Sequence, residues 1–488
     1  MSDGLRPSDP TAPAFEAPGL AAATGGRLVR AGRRPIRGGA VDSRRVTPGA
    51  AFFALPGERT DGHRFLRAAV DAGAAALIVR DLPDDAELDA LAGADAGVSI
   101  IAVADPGAAL LAAARAWRDR WSPLVVGITG SLAKTSTKEQ VAEVLAERWT
   151  VLKNEGNENN EIGLPLTLLR SGPQHEAFVL EMGLYVPGDI DLLARLARPT
   201  IGVVTAVRGV HLSRAGTIEA IENGKRELIE ALPAGGTAIL NADDARVTRW
   251  TAPAGVAILR YGFAAGADVT ATGITALGAD GMAFTLVLPD GSFPVRTPAL
   301  GRHSVHNALA AAAVGVAAGL DHATIARGIA RGFRAPHRTA LVRLVDRLVL
   351  DDSYNASPDS VAAALELLAT LPGRKVAVLG EMLELGDGTL PGHLAVGRDA
   401  ARRADLLLTV GPGAAPIADG ALDAGMPAER IVRAEDRAAA TAWLAAGSRA
   451  GDAILVKASR GAELDLVVDD LVRLFGDAAA TGTPGPLA

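Results

Sequence analysis

Short apolar runs recur along this chain, and Ala-rich amphipathic stretches follow them. This alternation is typical of parallel sheets whose strands are joined by helical crossovers. It therefore predicts an α/β protein. The predicted strands are Ala76–Val79, Pro123–Gly127, Ala177–Glu181, Ile201–Thr205, Thr237–Asn241, Val376–Gly380 and Ala453–Lys457.

Two segments depart from this alternation. Between Ala267 and Val295, short alternating runs are broken by Gly and Asp-Gly, as at Asp290-Gly291, which predicts a β-rich insert of antiparallel hairpins. The longest uncharged apolar run, Ala308–Leu320, is shorter than the roughly 20 residues that a membrane-spanning helix needs. We interpret it as a buried helix and expect no membrane insertion.

The composition narrows the possible partners and chemistry. The chain has 49 basic and 56 acidic residues, a net charge of -7, so it lacks the positive field that holds nucleic acid. It has no cysteine, which excludes disulfides, thiolate metal sites and cysteine nucleophiles. The first 18 residues lack the basic and apolar regions of a signal peptide, and we expect a cytoplasmic protein.

A chain of 488 residues predicts about three domains. We place one boundary near Arg120, before an apolar strand, and another near Phe333–Arg338, where a helical pattern gives way to Arg-Ala-Pro-His-Arg. The polar, Pro- and Gly-rich C-terminus cannot build a core. The predicted segments are a disordered tail over 1–18, an N-terminal domain over 19–120, a central domain over 121–332, a C-terminal domain over 333–476 and a second disordered tail over 477–488.

The segment Thr129-Gly-Ser-Leu-Ala-Lys-Thr-Ser136 follows a predicted strand and opens a helix. Backbone N–H groups at such a turn can surround a phosphate, Lys134 can neutralise it and Thr135 can hold Mg²⁺. The segment departs twice from G-x-x-x-x-G-K-[ST], because Ile128 and Ala133 occupy the Gly positions. If residue 133 requires a positive φ, its methyl group costs about 1 to 2 kcal/mol relative to Gly.

Two other interpretations of this turn stay open. Gly127-x-x-Gly130-x-x-Ala133 is similar to a dinucleotide fingerprint, which needs an acid about 20 residues later to hold a ribose; Glu155 comes slightly late for that role. The segment could also be a capped helix after a strand, with no ligand. Nucleotide phosphate binding is the interpretation that we favour.

Several segments together resemble the Mur ligases of peptidoglycan synthesis, most closely the branch that adds D-alanyl-D-alanine. The most specific of them is Asp352-Ser-Tyr-Asn-Ala-Ser-Pro-Asp-Ser360, which matches D-S-Y-N-A-x-P-x-S. The D-N-P-R sequence of the diaminopimelate-adding relative is absent. The other similar segments are Val41–His63, Thr129–Thr135, Gly156–Leu169, Phe178–Gly183, Val210–Leu212, Glu219–Glu230, Gly301–Asn307, Pro336–Arg338, Val378–Gly386 and Leu455–Arg460.

The resemblance implies a three-domain fold: a small α/β N-terminal domain, a central P-loop-type parallel sheet domain and a Rossmann-like α/β C-terminal domain. It implies an ATP-dependent amide ligase that joins D-Ala-D-Ala to the terminal carboxylate of UDP-N-acetylmuramoyl-tripeptide (UDP-MurNAc-tripeptide) through an acyl phosphate. The implied cofactors are ATP and two Mg²⁺ ions, and a monomer is expected.

The resemblance also assigns residues, by their positions in the matching motifs. Lys134, Glu181, His211 and Lys225 would be catalytic, and Thr135, Glu181, His211 and a carbamylated Lys225 would hold the metal. ATP would contact Thr129, Gly130, Ser131, Leu132, Ala133, Lys134, Thr135, Ser136, Asn307, Arg338 and Asp352. The other substrates would contact Ser43, Arg44, Asn157, Asn159, Asn160, Tyr354, Asn355, Lys457, Ser459 and Arg460.

Simpler and competing interpretations remain. Taken alone, Lys225 would be a solvated helix lysine paired with Glu222 one turn earlier, and the Asn cluster would be turn chemistry. The enzyme could act on another amino substrate. Because Ala133 and Ala458 occupy Gly positions of the family's motifs, the chain could also be a degenerate nucleotide-binding regulator.

Overall fold

The computed structural model describes residues 13–57, 60–92, 97–209 and 217–476. Its strands are β1 Arg27–Arg30, β2 Gly39–Ala40, β3 Ala51–Phe53, β4 Ala76–Val79, β5 Ser99–Ala102, β6 Leu124–Thr129, β7 Val151–Lys153, β8 Ala177–Glu181, β9 Ile201–Val204, β10 Thr237–Asn241, β11 Ala257–Tyr261, β12 Thr270–Ala276, β13 Met282–Leu288, β14 Gly291–Thr297, β15 Ala340–Arg343, β16 Leu348–Asp351, β17 Lys375–Gly380, β18 Leu406–Val410, β19 Ile431–Ala434 and β20 Ala453–Lys457. Its helices are α1 Ala17–Ala23, α2 Leu66–Asp71, α3 Asp85–Ala92, α4 Pro106–Arg118, α5 Lys134–Leu145, α6 Gly163–Leu169, α7 Asp189–Ala197, α8 Ile218–Glu230, α9 Arg302–Ala317, α10 His322–Arg331, α11 Pro358–Thr370, α12 Thr389–Arg403, α13 Ala415–Asp423, α14 Arg437–Gly447 and α15 Asp465–Phe475.

The chain divides into two compact units. The first comprises residues 1–127, 149–184 and 188–200, and the second comprises 128–148, 185–187 and 201–488. This division does not test the predicted domain boundaries, which stay a prediction. Strand β6 begins in the first unit and ends in the second.

The first unit contains a five-stranded sheet of order β1-β5-β4-β3-β2. Strands β2 to β5 pair in parallel, and β1 is antiparallel to β5. Phe52 and Leu77 are fully buried in its core, and Leu77 belongs to the predicted strand Ala76–Val79. In the same unit β7 and β8 pair in parallel, and the start of β6 lies beside β8, where Leu124 N donates to Glu176 O at 2.9 Å.

The N-terminus of this unit differs from the sequence prediction. Phe15 is buried, exchanges backbone hydrogen bonds with Ile36 and lies 5.0 Å from the Trp117 ring, and α1 begins at Ala17. The disordered tail predicted over 1–18 is therefore wrong for its last residues, because one aromatic side chain anchors them. Residues 1–12 and the predicted tail over 477–488 lie outside the described residues.

The second unit contains three groups of strands. Strands β9, β10 and β11 pair in parallel, and the end of β6 lies beside the end of β9, where Thr205 N donates to Thr129 O at 2.9 Å. Strands β12 to β14 form an antiparallel sheet whose last hairpin turns at Asp290, which confirms the predicted insert. A six-stranded sheet of order β15-β16-β20-β17-β18-β19 is parallel except for β15.

The strand predictions are confirmed in type throughout. The bounds of Thr237–Asn241 and Ala453–Lys457 match exactly those of β10 and β20, while β6 starts one residue later and ends two residues later than predicted. The predicted buried helix lies in α9, where Ala308 to Val314 are all fully buried. Among the described residues, no helix is long and apolar enough to cross a membrane.

Candidate active site

The predicted phosphate loop lies between β6, which ends at Thr129, and α5, which begins at Lys134. Gly130 has a φ of +151°, and a Cβ on it would come within 1.8 Å of Thr205 Oγ1. The Thr205 hydroxyl donates to Leu132 O at 2.6 Å. The loop is therefore held close against the residue that follows β9, and only glycine fits at position 130.

Ser131 anchors the loop a second time. Its N–H donates to Ala206 O at 2.7 Å, and its hydroxyl donates to Arg208 O at 3.0 Å while accepting from Arg208 N at 2.9 Å. The Arg208 guanidinium forms an ion pair with the buried carboxylate of Asp244. These contacts fix the backbone of the loop before any ligand binds, which is the preorganisation that anion binding by backbone N–H groups requires.

Ala133 adopts the left-handed conformation, with φ 61° and ψ 7°. This is the conformation in which its methyl group was expected to cost free energy relative to glycine. It stands directly before α5, which has no side-chain N-cap. The Lys134 ammonium donates to Gly130 O at 2.8 Å, so it lies across the loop. Thr135 is buried and Ser136 is half-buried in the first turn of α5.

Lys225 lies on α8 and is only 3% exposed. Burial lowers its pKa well below the ordinary lysine value, and the charge of Lys134 lowers it further. The Glu222 carboxylate instead accepts from Arg246 at 2.6 Å and from Trp250 Nε1 at 3.0 Å. The interpretation of Lys225 as a solvated lysine paired with Glu222 is therefore wrong; no described residue forms a hydrogen bond or an ion pair with its ammonium group.

Glu181, in the first unit, ends β8 and is 3% exposed. Asn159 Nδ2 donates to Glu181 Oε1 at 2.8 Å. Asn154, which sequence reasoning missed, accepts from Glu181 N at 2.9 Å and donates to Glu181 O at 3.0 Å. One amide thus contacts the Glu181 carboxylate and the other fixes its main chain. Glu181 lies at the carboxyl end of a parallel strand, the edge at which open α/β sheets bind ligands.

The other two residues of the Asn cluster have different positions. Asn160 Oδ1 accepts from Gly163 N at 2.9 Å and so caps the start of α6. Asn157 is exposed, and its carbonyl accepts from Asn159 N at 2.8 Å. The cluster therefore combines turn chemistry with support of Glu181.

Ser43 and Arg44 lie in a short 3₁₀ turn of the first unit. The exposed Arg44 guanidinium forms a bidentate pair with Asp42, at 2.9 Å and 2.6 Å, and this hydrogen bonding lowers the pKa of Asp42. Ser43 is half-buried. The turn presents a cationic group at the surface, and its part in substrate binding stays a prediction.

Asn307 lies on α9 and is 2% exposed. Its Oδ1 accepts from Thr137 Oγ1 of α5 at 3.3 Å. It therefore ties α9 to the helix that the phosphate loop opens.

In the C-terminal part of the second unit, Lys457 is 2% exposed at the end of β20. Its ammonium donates to Asp352 Oδ2 at 2.5 Å and to Asn355 O at 2.8 Å. Asp352 Oδ1 accepts from Thr339 N at 3.0 Å. Lys457 thus holds the loop that contains Asp352, one of the predicted ATP contacts.

Two cationic side chains lie near the ring of Tyr354, in the same loop. The Arg338 guanidinium carbon lies 4.0 Å from its ring centroid, and that of Arg460 lies 4.9 Å away. Ser459, the neighbour of Arg460, is fixed by its N–H donating to Glu381 O at 2.9 Å. The structure therefore brings Arg338, Tyr354 and Arg460 together, as it does Asp352, Asn355 and Lys457.

His211 lies outside the described residues. Among the residues that are described, no group of three His, Asp or Glu side chains could by itself hold a metal. Thr135 and Lys225 belong to the second unit and Glu181 to the first, so their assembly into one metal site stays a prediction. Their chemistry fits the expected ions, because a hydroxyl, a carboxylate and a carbamate are hard oxygen ligands.

Sequence reasoning also missed Thr205 and Asp244, which fix the phosphate loop. A hydroxyl directly after an apolar strand was a signal for the first. No local signal exists for Asp244, because its partner Arg208 becomes a neighbour only through the pairing of β9 with β10.

Three family models match the chain. Residues 35–118 match "Mur ligase family, catalytic domain", residues 128–315 match "Mur ligase middle domain" and residues 337–460 match "Mur ligase, glutamate ligase domain". Together they span the phosphate loop, Lys225, Tyr354 and Arg460.

Curated relatives and solved structures agree with these matches. The UDP-N-acetylmuramoyl-tripeptide--D-alanyl-D-alanine ligase of Escherichia coli is 38% identical over 76% of this chain and 80% of its own length. The Bacillus subtilis ligase of the same name is 35% identical over 90% of this chain and 93% of its own. A crystal structure of MurF from Acinetobacter baumannii has a TM-score of 0.84 at 30% identity, with 95% of this chain and 99% of that one covered. MurF from Thermotoga maritima in complex with ADP has a TM-score of 0.76 at 28% identity, with 90% and 97% covered.

Proposed function

The chain belongs to the Mur ligase family, and we propose that it uses ATP to join D-alanyl-D-alanine to the terminal carboxylate of UDP-MurNAc-tripeptide. It is thus an ATP-dependent amide ligase of peptidoglycan synthesis. The Escherichia coli and Bacillus subtilis ligases, most of whose length matches this chain, are named for the same reaction. The observation that carries the proposal is the anchored loop from Gly130 to Lys134, whose backbone is held by Thr205 and whose lysine lies across it.

The loop supplies the phosphate site. Its backbone N–H groups and the N-terminus of α5 favour anions, and the Lys134 ammonium can exchange its contact with Gly130 O for a phosphate oxygen. We assign Thr135 and Glu181 as Mg²⁺ ligands, with His211 as a further ligand. Bound Mg²⁺ would offset the charge of the transferring phosphoryl group.

Lys225 is suited to carbamylation because its burial favours the neutral amine. The amine lone pair forms a bond to the carbon of CO₂, and the nitrogen releases a proton to solvent. The resulting carbamate is an anionic oxygen ligand, and its negative charge is favoured by the positive charge of Lys134, which disfavours the protonated amine.

The ligation has two steps. A carboxylate oxygen of the tripeptide takes the γ-phosphoryl group of ATP, with ADP leaving, to give an acyl phosphate. The amine of the dipeptide then forms the C–N bond, the C–O bond to phosphate breaks and a proton is released. Lys134 and Arg338 offset the repulsion between the approaching anions, and Tyr354 holds Arg338 in place.

The segments 19–120, 121–332 and 333–476 are proposed as the UDP-binding, ATP-binding and ligase domains. A phosphate-release assay with ATP, Mg²⁺, UDP-MurNAc-tripeptide and a panel of dipeptides tests the function. We expect release that requires both amino-acid-containing substrates and is fastest with D-Ala-D-Ala. Faster release with another amino substrate would assign a different ligase, and nucleotide binding without release would assign a regulator.

A further inference from the structure

Glu158 lies in the loop between β7 and α6 of the first unit, and its side chain is only 10% exposed. Arg170, the residue that follows α6, donates to Glu158 Oε2 at 2.6 Å and to Glu158 Oε1 at 3.3 Å. Arg45 also donates to Glu158 Oε1, at 3.1 Å, and Thr167 Oγ1 donates to Glu158 Oε2 at 3.2 Å. Two guanidinium groups and a hydroxyl therefore hold one carboxylate.

These contacts keep Glu158 ionised. Burial acts to raise the pKa of Glu158, but hydrogen bonding and charge from Arg170 and the charge of Arg45 outweigh it, and the net shift is downward. Removal of the carboxylate would leave two cations without the anion that they share, which is costly at a largely buried position. The positions of the three side chains therefore depend on one another.

Arg45 brings a distant segment to this carboxylate. It ends the 3₁₀ turn Ser43–Arg45, whose other two residues are predicted substrate contacts. Asp42 fixes this turn, because its Oδ1 accepts from Arg44 N at 3.0 Å and its carbonyl accepts from Arg45 N at 3.0 Å. The contact between Arg45 and Glu158 therefore ties this turn to the loop that follows β7.

The same loop supports Glu181. Asn154 Nδ2 donates to Glu158 O at 2.8 Å and to Glu181 O at 3.0 Å. Asn159 Nδ2 donates to Glu181 Oε1 at 2.8 Å, and Asn159 O accepts from Gly183 N at 2.7 Å. Residue 158 is thus bonded to one of the two amides that hold Glu181 and is adjacent in sequence to the other.

The main chain at residue 158 is closely packed. A Cβ on Gly163, the first residue of α6, would come within 2.3 Å of Glu158 Cα and within 2.6 Å of its carbonyl carbon. The loop therefore has no room to move toward α6. Since the side chain of Glu158 is its anchor, loosening that side chain should displace the neighbouring Asn159.

We propose that Glu158 is a positioning residue for Glu181, the carboxylate assigned above as a Mg²⁺ ligand. Held by Arg45 and Arg170, Glu158 fixes the loop from which Asn159 orients the Glu181 carboxylate. The inference rests on the proposed function, which supplies the role of Glu181, and adds to it a connection from the turn of Arg45 to that ligand. Partners that orient a metal-ligating side chain typically change metal affinity by about 10- to 100-fold when they are removed.

The test compares Glu158→Gln with Glu161→Gln in the full chain. Glutamine keeps the size of the side chain but removes its charge. Glu161 is exposed, lies three residues later in the same loop and serves as the matched control. Electron paramagnetic resonance measures the binding of Mn²⁺, used in place of Mg²⁺, with ADP present, and calorimetry measures the binding of ADP without metal.

Glu158→Gln should weaken Mn²⁺ binding by about fivefold or more, a smaller loss than for a direct partner because it acts through Asn159. Its affinity for metal-free ADP should equal that of the wild type, and Glu161→Gln should leave both affinities unchanged. Unchanged Mn²⁺ binding by Glu158→Gln overturns the proposal. An equal loss of metal-free ADP binding also overturns it, because the variant would then have lost structure generally.

Arg45→Gln tests the connection to the turn. The Arg45 side chain is 65% exposed, so its replacement leaves the core intact. It should weaken Mn²⁺ binding by about twofold or more in the wild type and cause no further loss in Glu158→Gln, where its anion is gone. Equal losses in the two backgrounds would show that Arg45 does not act through Glu158.

Phosphate release separates this proposal from the proposed function. If the wild-type chain releases no phosphate, the ligase assignment fails, but Mn²⁺ binding still compares the variants. If it is active, Glu158→Gln should raise the Mg²⁺ concentration for half-maximal release by about fivefold or more and leave the KM for D-Ala-D-Ala unchanged. Undetectable Mn²⁺ binding by the wild type in the presence of ADP overturns the positioning role.

Discussion

A Cβ atom on residue 130 would lie 1.8 Å from Oγ1 of Thr205, whose hydroxyl holds the Leu132 carbonyl. Gly130→Ala must therefore displace the loop, because Thr205 is fixed at the end of β9 and the backbone N of Ala206 would also lie within 3.0 Å. We expect ATP-dependent phosphate release to fall by about two orders of magnitude or more, since a displaced loop no longer presents its N–H groups to the phosphate. Steady-state kinetics and ADP calorimetry measure this loss.

Gly266→Ala is the matched control. Gly266 also has a positive φ, +90°, but no atom lies within 4 Å of a Cβ placed there. It should lose about 1 kcal/mol of folding free energy and retain full activity. Comparable activity losses in the two variants would mean that backbone strain, rather than the contact with Thr205, disables the loop.

The two alanines in Gly positions of the family's motifs should respond oppositely to replacement by glycine. Ala133 has φ 61°, so Ala133→Gly should raise the free energy of unfolding by about 1 kcal/mol. Ala458 is fully buried, is not among the residues with positive φ and would lie 2.7 Å from a Cβ on Gly380. Ala458→Gly should therefore lower the free energy of unfolding by about 1 kcal/mol. Denaturant titration measures both, and equal signs would contradict the assigned backbone conformations.

Much of the fold is predictable because its signals are local. An apolar run such as Thr237–Asn241 specifies a strand by itself, and the Asp290-Gly291 pair specifies a hairpin turn. Phe15 gave no such signal, because its partners are Ile36 and Trp117.

In the candidate site, too, the features with local sequence signals could be predicted and those that depend on distant residues could not. The phosphate loop is contiguous in sequence and could be predicted, including the possible cost at Ala133. The burial of Lys225 could not, because Glu222 one turn earlier is an ordinary helical partner. Arg246 and Trp250, which donate hydrogen bonds to the Glu222 carboxylate, are distant from it in sequence.

Lys225 should carry a carbamate when CO₂ is present. We expect ¹³C-bicarbonate to give a carbamate ¹³C NMR signal in the wild type that is absent in Lys225→Met. Lys225→Ala should lose ligation by orders of magnitude, because the proposed metal support is removed, and added short carboxylates should recover part of it. A signal that persists in Lys225→Met would place the carbamate elsewhere, and an active Lys225→Ala would contradict the assigned role.

Lys457 should stabilise the fold through its ion pair with Asp352. Its buried ammonium pairs with Asp352 at 2.5 Å, so Lys457→Met leaves a carboxylate that is only 14% exposed without its cation. We expect a loss of about 3 kcal/mol in the free energy of unfolding. Asp352→Asn in the same chain should recover part of that loss, because the uncompensated charge is then gone. Additive losses in the double variant would show that the two side chains do not interact.

Asp243 predicts a pH dependence of stability. Burial acts to raise the pKa of Asp243, but hydrogen bonds from His306, Phe263 N and Ala264 N outweigh it, and the net shift is downward. At pH values between the folded pKa and the ordinary pKa of about 3.9, the unfolded chain therefore binds more protons than the folded chain. The stabilisation by the Asp243 carboxylate is complete above the ordinary pKa. It is lost as the pH falls through the folded pKa. Asp243→Asn should be less stable than the wild type by about 1 kcal/mol at pH 7, and the difference should shrink as the wild-type carboxylate is protonated. Denaturant titrations between pH 2.5 and pH 7 measure it; a difference that stays constant across this range would show that the side-chain shape, not its charge, stabilises the turn at residue 263.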